Sequence, residues 1–145
     1  MKNIAVIALA FFMAQPAARA DHKQLPELSR QLGIQVSQLA DGARKVIGFS
    51  PSFQQRYAHE HVQFFHASAH RFQDLVSGMQ VDRIERDHTN EVRLAFRKLN
   101  HDASHARETF MDLFGTLDDH PSMGPLEKTL RNAEFLVRQI GLNLP

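Results

Sequence analysis

Through most of this chain apolar residues return at every third or fourth position, and no stretch alternates apolar with polar. A repeat near 3.6 residues lines up along one stripe of an α-helix, whereas a strand repeats every two. Val, Ile, Thr and Tyr, which favour strands, are sparse. The chain is therefore expected to be all-α, built by burying helical stripes against one another.

Breakers divide the pattern into four segments. The first spans about Pro26 to Ile47, with Leu25, Leu28, Leu32, Val36, Leu39, Ala43 and Val46 on its stripe. Gly33 and Gly42 lie inside it and weaken it by about 1 kcal/mol each relative to Ala. Gly48 can end it, and Ser50-Pro51 reads as an N-cap followed by proline at the first helical position. The second segment spans about Pro51 to Ser77, on Tyr57, His61, Phe65, Ser68, Phe72, Leu75 and Val76. Gly78 suits a left-handed residue after the helix end. Asp82 with Glu85 fits a capping box for a long third segment reaching about Leu117. Its stripe is His88, Val92, Ala95, Leu99, Ala103, Ala106, Phe110, Leu113 and Leu117, and it does not slip at Asn100-His101-Asp102. After a loop from Asp118 to Gly124, the fourth segment spans Pro125 to Ile140 on Leu126, Leu130, Ala133, Val137 and Ile140. Gly141 and Leu142 fit its C-terminal cap. Short connections make neighbours antiparallel, so the predicted fold is an antiparallel up-down-up-down four-helix bundle. Segments two and three form its long central helical hairpin.

Residues 1–20 precede this pattern and have the zones of a cleavable signal peptide. Lys2 supplies the positive start, Ile4 to Met13 the apolar run, and Ala18-Arg19-Ala20 the small residues at the cut. That run is far shorter than the roughly 20 residues of a membrane span. Cleavage before Asp21 is expected to leave a single domain over residues 21–145, periplasmic or secreted and without a membrane span. No cysteine exists, so neither a disulfide nor a thiolate ligand is available and stability must come from packing. Without Lys2 and Arg19, the 17 basic residues fall to 15 against 16 acidic ones, a formal net charge of −1. A near-neutral surface gives no electrostatic case for nucleic acid.

No catalytic motif is present. Gly-x-Ser-x-Gly, a phosphate-binding glycine loop and His-Glu-x-x-His are all missing, and His59-Glu60-His61 brings its second histidine too early. Covalent haem attachment needs cysteine, and the fourth segment as bounded has no His or Met for an axial ligand. The unusual feature is histidine, with nine in the chain. His66/His70 and His101/His105 are spaced i, i+4, which brings two imidazoles onto one helix face where they can share a metal. His59 lies within about 20° of His66 around the helix. These five are the candidate metal ligands, for Cu, Zn or Ni, because imidazole suits those ions. All five point away from the phenylalanine stripes, so the bland alternative is solvated surface histidines. His59 and His101 approach only if both rim one groove of the hairpin. His61 and His88 lie near the stripes and read as half-buried neutral histidines, satisfied by a neighbour such as Ser68 or Glu85. The phenylalanines read mostly as core, with Phe64 and Phe96 flanking the stripes as candidate anchors for a partner.

The sequence thus points first to an exported, non-enzymatic helical bundle that binds a protein or envelope component. A histidine-based metal-binding protein is the alternative.

Overall fold

The computed structural model describes residues 22–47, 51–78, 89–114 and 123–144; the signal-peptide reading, Gly48 and Ser50, the Asp82–Glu85 capping box, His88, the end of the third segment at Leu117 and the loop expected from Asp118 lie outside them. A short 3-10 turn, His22–Gln24, leads into four α-helices: α1 (Leu25–Val46), α2 (Phe53–Ser77), α3 (Thr89–Phe114) and α4 (Met123–Leu142). No strand occurs among the described residues. The all-α bundle is thus borne out. α3 runs unbroken through Asn100-His101-Asp102.

The ends differ in instructive ways. α2 is capped by Ser52, not Ser50. The Ser52 hydroxyl accepts from the Gln55 amide at 3.2 Å, and the Gln55 side chain accepts from the Ser52 amide at 2.9 Å. This reciprocal box satisfies two orphan N–H groups, which outweighs the proline signal one residue earlier. Gly78 ends α2 at φ −76°, in the right-handed region, so no left-handed residue is used there. α4 starts at Met123 because that side chain is buried with the core, and it therefore does contain a methionine. Gly141 lies within α4 and is not a cap.

The helices form a ring. α1 packs on both α2 and α4, α2 packs on α3, and α3 touches α4 more thinly. Along α1, Gly33 faces Gln73 and His70, Ser37 faces His70 and His66, and Arg44 lies near His59. Advancing along α1 therefore means retreating along α2. The same reversal appears between α2 and α3, where His61 meets His105 and Phe72 meets Phe96. α1 meets α4 through Gly42 and Leu126, and α3 meets α4 through Phe96 against Gly141 and Arg107 paired with Glu134 at 3.4 Å.

The core contains Leu25, Leu32, Val36 and Leu39 of α1, Leu99 and Phe110 of α3, and Leu130 and Ile140 of α4, as their stripes predict. α2 is rotated from expectation. Ala58, Val62, Phe65, Ala69, Phe72 and Val76 are buried, whereas Tyr57 is 45% exposed and His61 is half-buried. A helix wedged between two neighbours puts its smaller residues at the closest contacts, and the larger Tyr57 is left at the rim. Phe53 and Phe135 are likewise surface residues, not core.

Candidate functional site

α2 touches both α1 and α3, so its histidines divide between two seams. His59, His66 and His70 turn to α1. They are half-buried there, not solvated, because the direction away from the phenylalanine stripe is the direction of α1. The His66 and His70 rings stand 4.4 Å apart. Their Nε2 atoms lie 3.2 Å and 3.1 Å from one atom, the Ser37 hydroxyl oxygen. That hydroxyl donates its own proton to the Gly33 carbonyl at 2.8 Å. Its oxygen is then left to accept from both rings, which places a proton on each Nε2.

Burial pushes the His66 pKa down, with the neighbouring His70 adding to the effect and Asp41 opposing it. His59 is also pushed down, first by burial and then by Arg44. Its Nδ1 is buried and makes no hydrogen bond among the described residues. The folded chain thus holds fewer protons at these rings than the unfolded chain near pH 6.5. Stability is therefore full above about 6.5, the ordinary histidine value, and is lost as pH falls through the depressed folded values. Thermal unfolding followed by circular dichroism at pH 7.5, 6.5 and 5.5 is expected to show a falling midpoint. The fall should be shallower in His59→Gln, and an unchanged slope in that variant would refute the assignment.

On the other seam, His101 and His105 of α3 have ring centroids 4.5 Å apart, and His105 stacks on His61 at 5.4 Å. Tyr57 meets His61 edge-on at 4.5 Å, and Phe53 stacks on Tyr57 at 5.9 Å. Ser68, a suggested partner for His61, donates instead to the Phe65 carbonyl. His59 and His101 do not meet: the cross-hairpin partner is His61 with His105. His101 Nδ1 lies 3.3 Å from Asp102 Oδ1. Both i, i+4 pairs are therefore brought together, on separate faces. Among the described residues no three His, Asp or Glu side chains converge to hold a metal ion.

Asp102 was not singled out by the sequence reading, yet its side chain is 5% exposed and accepts two hydrogen bonds from Lys98 Nζ, at 2.7 and 2.6 Å. It lies at one side of a groove of about 560 Å³ between α2 and α3. Phe64, Ala67, Leu75, Leu94 and Ala95 give this groove apolar walls; Ser68, Arg71, Glu91, Lys98 and Asp102 complete it. Phe64 and Leu94 are exposed. The charged groups lining the groove balance, two of each sign. The i, i+4 charge pattern from Lys98 to Asp102 was the available signal, but only the α2–α3 register shows that it borders a groove. Among the described residues no helix is long and apolar enough to cross a membrane. No family model, curated protein or solved structure matches the chain.

Proposed function

We propose that this chain is an exported, non-enzymatic helical bundle that binds a small, mostly apolar molecule with a polar but uncharged end in the α2–α3 groove. The antiparallel up-down-up-down order, with α2 and α3 as its hairpin, is the reading that the reversed contacts along each seam support. The observation that carries the proposal is the groove itself. Its volume falls within the range of about 300–1,000 Å³ usual for small-molecule sites, and it combines apolar walls with a few fixed polar groups. Phe64 and Leu94 stay exposed at it although the core would have gained from burying them. The balanced charges argue against a strongly anionic or cationic ligand. Export and cleavage before Asp21 rest on the leader pattern alone.

A neutral apolar fluorophore, N-phenyl-1-naphthylamine, tests the groove. Saturable binding to the folded protein with one site is expected. Leu94→Arg should abolish it with helix content unchanged, since Leu94 is 68% exposed and contributes little to folding. Absence of saturable binding, or equal binding by Leu94→Arg, would refute the groove.

A further inference from the structure

The geometry points to a transition-metal site on the α1–α2 seam, formed by His66 Nε2 and His70 Nε2 with the Ser37 hydroxyl oxygen as third donor. It lies apart from the α2–α3 groove and does not depend on it. Two imidazoles from one helix face converge on a hydroxyl oxygen from the opposite helix, so the three donors already lie together. Donors bound to an ion at about 2.0–2.1 Å stand about 3 Å apart from each other. The two Nε2–Oγ separations, 3.2 and 3.1 Å, match that spacing.

Loading requires a local change at each ring, which turns its Nε2 from the Ser37 oxygen toward the ion. Each ring moves its proton from Nε2 to Nδ1, freeing the Nε2 lone pair, so neutral rings release no net proton. Ser37 keeps its proton on the Gly33 carbonyl and offers a lone pair. Asp41 lies close enough to His66 to favour positive charge there. Remaining coordination positions open to solvent, because Ser37, His66 and His70 are only half-buried. With imidazole donors and no thiolate in the chain, Cu(II) is favoured over Ni(II) and Zn(II).

The other i, i+4 pair lacks this arrangement. The His101 side chain is 65% exposed, with Nδ1 turned to Asp102, and His105 Nδ1 lies 3.9 Å from Glu108. Among the described residues those two rings share no hydrogen-bond partner. They serve as the internal control for adventitious binding by surface histidine.

Calorimetric titration of the protein with Cu(II) and with Zn(II), alongside nitrogen-detected NMR of the imidazoles, tests the site. Changing groups merely behind a metal ligand costs about 10- to 100-fold in affinity, so His66→Gln/His70→Gln should weaken Cu(II) binding by more than about 10-fold. His101→Gln/His105→Gln should leave affinity within about two-fold of wild type, because neither ring belongs to the site. Zn(II) should shift both His66 Nε2 and His70 Nε2, and Ser37→Ala should weaken binding while both rings remain. Wild-type affinity in the His66/His70 variant, or Zn(II) shifts confined to His101 and His105, would overturn the assignment. If the double variant does not fold, the wild-type NMR decides, and unshifted His66 and His70 signals refute the site.

Discussion

Phe72→Ala is expected to destabilise the protein by about 3–5 kcal/mol, the usual loss when a buried aromatic ring is truncated. Phe72 is fully buried, and its ring meets Phe96 at 6.3 Å, with Phe96 in turn against Gly141. Removing it opens a cavity between α2 and α3, behind the Phe96 ring that packs on α4. A domain of this size has about 5–15 kcal/mol of stability in total, so the loss is a large share. No disulfide constrains the unfolded chain to soften it. Urea unfolding followed by circular dichroism measures the effect. Phe53→Ala is the matched control: Phe53 is 72% exposed, and its truncation should change stability by no more than about 0.5 kcal/mol. A loss below about 1 kcal/mol for Phe72→Ala would show that this end of the core can collapse around the missing ring.

Gly42→Val should cost about 1–3 kcal/mol, the range for overpacking a filled interior. A Cβ at Gly42 would overlap Leu126 Cδ2, and Leu126 is a buried core side chain with little room to retreat. Valine is also stiff at χ1, so it cannot swing away from the contact. The better helix propensity of valine returns only a few tenths of a kcal/mol. Gly33→Ala separates close approach from propensity. There the atom in the way is the Gln73 amide oxygen, at the end of a flexible side chain. Gly33→Ala should be neutral or stabilising by up to about 1 kcal/mol. Equal effects at both positions in denaturant melts would refute the claim that α1 and α4 meet backbone to side chain at Gly42.

Much of this fold could be read from the sequence because α1 and α4 each carry one uninterrupted apolar stripe. Leu32, Val36, Leu39, Leu130, Ala133 and Ile140 are buried as that periodicity requires. The buried face of α2 is turned by a few tens of degrees from the stripe that spacing alone suggests, because spacing does not say which of two adjacent positions faces the neighbouring helices. Tyr57 and His61 fit the stripe by spacing, yet Tyr57 is exposed and the small residues Ala58 and Ala69 are buried instead. The i, i+4 pairing of His66 with His70 and of His101 with His105 follows from helical geometry alone. Their environments do not. Placing His66 and His70 against Ser37, and His105 against His61, needs the register between helices, which no spacing within one helix contains. The same holds for the buried Asp102: its i, i+4 spacing from Lys98 is visible in the sequence, but the groove beside it is not.

The ring of helices has a consequence for the entropy of the chain. The seam between α1 and α2 joins residues 29 apart at Ser37 and His66, whereas the seam between α1 and α4 joins residues 84 apart at Gly42 and Leu126. The entropy lost on closing a flexible loop grows only with the logarithm of its length, as about (3/2)RT ln n. The long closure is therefore dearer than the short one by only about 1 kcal/mol. One well-buried leucine, such as Leu130 or Leu39, offsets that difference on its own. Bringing the first helix to the last is thus within reach of side-chain packing, and a chain without cysteine can hold its two ends together with no covalent strap.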